Sequence, residues 1–352
     1  LEQEERPTNM PQITKRTPTI RFEFVPAKKQ STLGGLPAIE ALAQEFGMWK
    51  KIRALPGIDP RVRTSHGYSP EVNVAQLLYS FCSGGASLAD AERLNDEPLV
   101  VQMAKVKGFA DQTLLGEWLR KQSEVSIEAF WGLIAQFIKW VIAKAQDKRW
   151  TYAGRAEVFF DDTQIEVYGP SFEGAKINYN GDLALSWQTL WFGPFLLEGQ
   201  LGSPGDVSSA LPGMLERHRP FWKERESDFL ADSGSSSAEY LKGIEKAGFT
   251  HWSVSYNKWT TVPERTAGAL PQSAWTAARQ CTWRDKTQVT QQHAGIRHTP
   301  QDSDFTFALA VARWKKEDEM FWRYAFVAHD ERRSDAQAVM ARHRLKGGKE
   351  QL

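Results

Sequence analysis

A chain of 352 residues, 41% hydrophobic and 25% charged, has the material for one large mixed domain plus a smaller one. Its net charge of +1 excludes binding to nucleic acid through overall basicity, so any DNA surface must come from local clusters of Lys and Arg. Two distant cysteines, Cys82 and Cys281, exclude a disulfide framework and a cysteine-rich zinc site, and they fit a reducing cytoplasm.

Residues 1–33 are polar and rich in Pro, Thr and Lys, with one alternating run from Ile20 to Phe24; an arm or a single edge strand is expected. The opening LEQEERPTNM is polar and acidic, so no signal peptide is expected. Residues 34–150 read as helical. Leu36, Ile39, Leu42 and Phe46 recur at helical spacing, and Ser69-Pro70 opens a helix that Gly84-Gly85 should stop. Ser87 caps a further short helix, Asp111-Gln112-Thr113-Leu114 starts another, and a long apolar helix runs from Ser126 to about Ala145. Its most apolar part, Phe130 to Ala145, is interrupted by Gln136, Lys139 and Lys144, and is expected to be too short and too polar to span a membrane.

The pattern changes at Ala156. Glu157 to Asp161 and Thr163 to Tyr168 are strand-like, and Leu190 to Gly199 is another apolar run. Leu211 to Glu224 is partly helical, with Pro220 expected to break it. Asp228 to Asp232 reads as a short buried strand, residues 238–247 as a helix and His251 to Tyr256 as a strand. Residues 257–320 are polar, Trp-rich and irregular, with strands and long turns expected. Phe321 to Ala328 is a strand, and Ser334 is expected to cap a last helix with Gln337 at the capping-box position. Strand–helix alternation behind a helical region predicts an α/β sheet after an all-helical segment.

Two carboxylates end apolar strands: Asp161 after Glu157-Val158-Phe159-Phe160, and Asp232 after Asp228-Phe229-Leu230-Ala231. A strand tip is a rigid place to hold a metal ligand, and Mg²⁺ takes oxygen donors from only a few carboxylates. An Asp at a strand end also serves as a turn residue or helix cap, and these two residues alone leave the choice open. Asp162 should face away from Asp161 and act as a solvated or capping residue, since side chains alternate across a strand. His293 and His298 lack a partner cluster, so no zinc site is expected.

The surrounding motifs carry a resemblance. Phe160-Asp161-Asp162-Thr163, Ser203-Pro204-Gly205-Asp206 and Leu230-Ala231-Asp232-Ser233-Gly234 resemble, in order, the first catalytic block, the "PGN" turn and the second block of bacterial insertion-sequence DDE transposases of the insertion-sequence-4-like superfamily. His343, Lys346 and Glu350 match the spacing of that family's Tyr-x2-Arg-x3-Glu helix, with His for Tyr and Lys for Arg, and fall on one helical face. Gly67-Tyr68-Ser69-Pro70 and the segment from Gly84 to Pro98 are similar to the helical region of one branch, so the resemblance spans about 60–352.

The resemblance implies a polar arm (1–33), a helical and possibly DNA-binding domain (34–150), and an RNase H-like catalytic domain (151–352) split by a β-rich insertion at about 257–320. The chain starts at Leu and stops inside a helical pattern, which reads as a truncated C-terminus. It implies metal-dependent cleavage and strand transfer of double-stranded DNA, at terminal inverted repeats and target DNA, by a homodimer in the bacterial cytoplasm near the nucleoid. Asp161, Asp232 and Glu350 would hold Mg²⁺ or Mn²⁺, two ions about 4 Å apart. Lys346 and His343 would contact phosphate, with Trp283, Arg284 and Arg313 as further DNA contacts. Trp252, Trp259, Trp275 and Trp283 are candidates to stack on an unpaired base. Arg61, Arg63, Lys105 and Lys107 are candidate phosphate contacts in the helical region. The alternatives are an inactive DNA-binding descendant and a nuclease that cuts without joining.

Overall fold

The computed structural model describes residues 33–62, 67–145, 151–152, 155–169, 171–206, 208–257, 260–282, 287–301, 303–330, 335–344 and 346. The expected arm, Arg63, Trp259, Trp283, Arg284, Ser334 and Glu350 lie outside the described residues. The chain divides into two compact units, Leu1–Phe137 and Ile138–Leu352.

The first unit is helical: α1 (Leu36–Phe46), α2 (Met48–Arg53), α3 (Pro70–Cys82), α4 (Leu88–Glu92), α5 (Pro98–Ala104), α6 (Gln112–Arg120) and the start of α7 (Glu124–Ala145). Local chemistry sets the helix starts. Ser87 and Asp90 form a reciprocal capping box on α4, and the Asp111 carboxylate accepts from the Thr113 and Leu114 amides at the start of α6. Ser69 holds the cap position of α3 in an extended conformation, with Pro70 at the first helical position but no side-chain capping bond. Two apolar clusters fill the unit, one around Ile52, Leu115 and Leu133 and one around Leu36, Tyr79 and Val100. Glu40 is buried beside them because its carboxylate accepts from Trp49 Nε1 at 3.0 Å, Gln44 Nε2 at 2.6 Å and the Tyr79 hydroxyl at 2.5 Å.

The sequence expectation for α7 needs correcting. The helix begins at Glu124, six residues before Phe130, and by length and composition Glu124–Lys144 is long and apolar enough to cross a bilayer. The same test is passed by core helices of water-soluble proteins, and Leu133 and Phe130 pack in the first unit's core.

The second unit is mixed α/β, with several helices around one 11-stranded mixed sheet. Its elements are β1 (Thr151–Tyr152), β2 (Arg155–Glu166), β3 (Lys176–Ile177), β4 (Leu183–Phe192), β5 (Phe195–Gly202), α8 (Leu211–His218), β6 (Ser227–Ala231), α9 (Ala238–Lys246), β7 (His251–Ser255), α10 (Thr261–Gly268), β8 (Arg279–Thr282), β9 (Gln288–His298), β10 (Phe307–Lys315), β11 (Arg323–His329) and α11 (Ala336–His343). The sheet order is β3-β4-β2-β6-β7-β11-β10-β9-β8, with β5 on β4 and β1 on β2. Strands β2, β4 and β5 form an antiparallel meander, β2, β6 and β7 run parallel through crossovers containing α8 and α9, and β7 to β8 continue antiparallel.

Every residue of β6 is buried, as expected of a central strand covered on both faces. Phe229 packs on Phe249, which stacks on Trp222 with ring centroids 4.8 Å apart. A Cβ at Gly199 would meet the Trp187 ring at 2.2 Å, so only glycine lets that indole lie across β5. Pro220 ends α8 in a 3-10 turn, as its missing N–H requires.

Three local expectations change. The two strand-like runs around Asp161 are one 12-residue strand. The expected irregular stretch 257–320 contains α10 and two long strands, and β9 and β10 extend the main sheet beyond β11. Asp335, whose carboxylate accepts from the Gln337 and Ala338 amides, caps α11 in the role expected of Ser334. The apolar side of α11, Ala336, Val339 and Met340, packs on Ala310, Ala312 and Val327 of β10 and β11.

Truncating the fully buried Leu230 to Ala is expected to cost about 2–5 kcal/mol, against roughly 0.5 kcal/mol or less for Leu201→Ala, which is 54% exposed. Urea midpoints of the two variants measure the difference, and equal midpoints would contradict the central placement of β6.

Candidate metal centre

The site follows from one register. Strands β2 and β6 pair in parallel, with Glu157 opposite Asp228 and Phe160 opposite Ala231. One residue further along, where the β2–β6 pairing ends, Asp161 in the middle of β2 lies beside Asp232, which directly follows β6. The period-2 alternation of a strand then puts Glu157 and Asp161 on one face, with Asp228 and Asp232 beside them. Two carboxylate rungs therefore cross the same pair of strands, four residues apart.

Helix α11 brings a cation to each rung. Lys346, in the turn that follows the helix, is only 5% exposed; its Nζ lies 3.1 Å from Asp161 Oδ1 and 2.6 Å from Asp232 Oδ2. Burial works against the ammonium, but Asp232 and Asp161 outweigh it and the Lys346 pKa rises above its ordinary value. The other oxygen of Asp161 accepts from the Thr163 hydroxyl at 2.9 Å. One turn earlier, Arg342 reaches the inner rung. Its Nε donates to Asp228 Oδ2 at 3.0 Å, NH2 lies 2.8 Å from the same oxygen, and NH1 lies 3.0 Å from Glu157 Oε1. The two terminal nitrogens approach off-axis, as ion-pair contacts rather than aligned hydrogen bonds.

Between the two cations, His343 is half-buried and its ring nitrogens meet two β7 hydroxyls, Ser253 Oγ at 3.1 Å and Ser255 Oγ at 2.8 Å. Burial pushes its pKa down to about 4, with Lys346 adding to the effect and Asp232 opposing it. Both nitrogens are thus committed to β7, and the expected phosphate contact by His343 gives way to a role in seating the helix.

Asp162 faces the other way, as alternation requires, and is half-buried; it caps no helix but holds the neighbouring strand and loop. It accepts from the Ser186 hydroxyl, from Gln164 Nε2 at 3.4 Å and from the Ser208 amide at 3.4 Å. Ser208 has a left-handed backbone (φ 62°), and its hydroxyl meets Ser235 Oγ at 2.8 Å in the turn just after Asp232. The loop after β5 is in this way tied to both acid-bearing strand ends. Asp206 closes the turn of that loop, its amide donating to the Ser203 carbonyl at 2.9 Å.

Other expected DNA contacts are placed elsewhere. Arg313 is 7% exposed and its guanidinium is sandwiched between Trp275 (3.9 Å) and Trp322 (4.4 Å), with Gln292 and Gln272 accepting from it. That packing removes it from any phosphate. Trp252 and Trp275 are core residues, with Trp252 Nε1 donating to Glu245, so neither offers a ring face to a base. In the first unit Arg61 is held by Asp59 at 2.7 Å, and Lys105 serves as the left-handed cap of α5.

Among the described residues no group of three or more His, Cys, Asp or Glu side chains comes together. The described part of the site is two adjacent carboxylates sharing one cation. The donor chemistry fits a hard divalent ion: both offer carboxylate oxygens, held by β2 and by the end of β6, and one positive centre already lies within 3.1 Å of each. Arg342, Glu157 and Asp228 were not singled out from the sequence, although the repeated acid-x3-Asp pattern of β2 and β6 carries the two acids.

No family model matches the chain, and no curated protein matches it. A solved structure aligns with it, the "Mos1 transposase paired-end complex with left transposon end", at 14% identity and a TM-score of 0.19, covering 55% of this chain and 61% of that one. A likeness that slight carries no weight for fold or function, and both rest on the geometry above.

The His343 ring is expected to stay neutral from about pH 8 down to about pH 5. Because the folded-state pKa is depressed, the unfolded chain takes up this proton first as pH falls below about 6.5. Stability then declines between that pH and the folded value of about 4, by a few kcal/mol in all. Nitrogen NMR of the ring follows the titration directly, and a midpoint near the free-histidine value would contradict the packing described.

Proposed function

We propose that the chain is a DNA transposase of the bacterial insertion-sequence DDE type with an RNase H-like catalytic core. The observation that carries the reading is the juxtaposition of Asp161 in β2 and Asp232 just past β6, where the parallel pairing of the two strands ends, with Lys346 within 3.1 Å of both. The meander followed by parallel strands with helical crossovers supports the fold assignment. Glu350, outside the described residues, follows Lys346 by one helical turn in the sequence and is the third proposed carboxylate.

Asp161, Asp232 and Glu350 would supply oxygen donors for Mg²⁺ or Mn²⁺, in a two-ion arrangement. Bound there, such ions activate a water or 3′-hydroxyl and stabilise the leaving oxygen of an in-line phosphoryl displacement. The chain's own residues position and stabilise charge. Thr163 fixes the carboxylate plane of Asp161 through its hydroxyl. Lys346, held at the acids by charge, would pair with a phosphate oxygen of the strand entering the site. The substrates on this reading are the terminal inverted repeats of an element and a target DNA, engaged by a homodimer in the cytoplasm.

Mg²⁺-dependent nicking of DNA carrying the element's terminal repeats tests the proposal. Asp161→Asn and Asp232→Asn are each expected to lower nicking roughly hundredfold or more, while circular dichroism stays unchanged. Full cleavage by Asp232→Asn would overturn the assignment. Joined product in a target plasmid separates a transposase from a nuclease that only cuts.

A further inference from the structure

The buried inner rung explains how the outer one is held. Glu157, Asp228 and Arg342 are each less than 9% exposed, and all three lie on the face of the sheet that α11 covers. Rungs four residues apart on a strand are separated by about 13 Å, whereas Arg342 and Lys346, also four residues apart, are separated by about 6 Å of helix rise. The cations can meet both rungs only if the helix end sits over the gap and the two long side chains splay apart. We propose that Arg342 is a positioning residue: by joining Glu157 of β2 to Asp228 of β6 it sets the rotation and axial position of α11, and so holds Lys346 over Asp161 and Asp232.

The alternatives for holding Lys346 are weaker. Its own two ion pairs involve carboxylates that are 32% and 58% exposed, where water competes for the charge. The apolar contacts of Ala336, Val339 and Met340 lie farther back along α11, on β10 and β11, and leave the end of the helix free to swing across β2 and β6. His343 meets only β7, on the far side of β6 from β2. Arg342 alone among these ties α11 to both acid-bearing strands through carboxylates closed to solvent. Its planar fork fixes the directions of its contacts, which a rotatable ammonium does not.

The test uses the full chain and reads the position of Lys346 without reference to activity. Acylation of lysines by a water-soluble amine reagent, mapped by mass spectrometry, is expected to leave Lys346 protected in the wild type. In Arg342→Met its labelling is expected to rise about tenfold relative to the exposed Lys176. Should Arg342→Met not fold, the triple variant Arg342→Met, Glu157→Gln, Asp228→Asn removes the buried charges that require pairing, and the same loss of protection is expected. Val339→Ala weakens the same helix through its apolar contact and is expected to keep Lys346 protected. Protection retained in the folded Arg342 variants, or lost equally in Val339→Ala, would overturn the inference.

The consequence for catalysis rests on the metal reading of Asp161 and Asp232. If Arg342 acts through Lys346, the double variant Arg342→Met, Lys346→Met nicks DNA within about twofold of Lys346→Met alone, whereas independent effects would multiply. Loss of Lys346 protection in Arg342→Met from a wild type that shows no Mg²⁺-dependent nicking would leave the positioning role standing and sink the metal reading.

Discussion

The parallel register between β2 and β6 is the constraint on which the rest of the second unit depends. It sets Glu157 against Asp228 and brings Asp161 beside Asp232. A slip of one residue would turn one strand's carboxylates to the opposite face and bury apolar side chains in their place. The register is defended on both faces. On one, Phe229 and its aromatic neighbours Phe249 and Trp222 fill the core; on the other, α11 covers the acid rungs.

Buried charges impose a second condition. An isolated ionised group inside a protein is costly, so the inner carboxylates require a cation and the buried Lys346 requires the outer ones. Arg342 and Lys346 meet that requirement from one short segment, one in the interior and one at the rim. The inner rung fixes structure, because it is closed to solvent. The outer rung is open enough to exchange partners, since Asp232 is more than half exposed. The same chemistry, repeated four residues apart, is thus closed to solvent at one end and open to it at the other.

Much of this arrangement is legible in the sequence, but unevenly. Apolar runs closed with an acid announce Asp161 and Asp232, although β2 continues past Asp161 to Glu166, and the spacing of His343 and Lys346 brings both to the end of the last helix, which stops at His343. What local pattern does not show is which strands are neighbours. Only the pairing of β2 with β6 reveals that Glu157 and Asp228 form a second rung, and only the seating of α11 shows that Arg342 serves it. Arg313 illustrates the opposite failure. A basic, Trp-rich stretch reads as a nucleic-acid surface, yet β9 and β10 continue the sheet and the guanidinium is consumed between two indole rings. Asp162 was read from alternation alone, which gave its direction correctly but not the Ser186 and Ser208 partners that come from β4 and the following loop.

The central claim is that Asp161 and Asp232 form one cation-binding centre. Electron paramagnetic resonance of Mn²⁺ added to the full chain measures this directly, without DNA or turnover. The account predicts bound Mn²⁺ in the wild type and its loss in the folded Asp161→Asn, Asp232→Asn double variant. Equal Mn²⁺ uptake by the two proteins would contradict it.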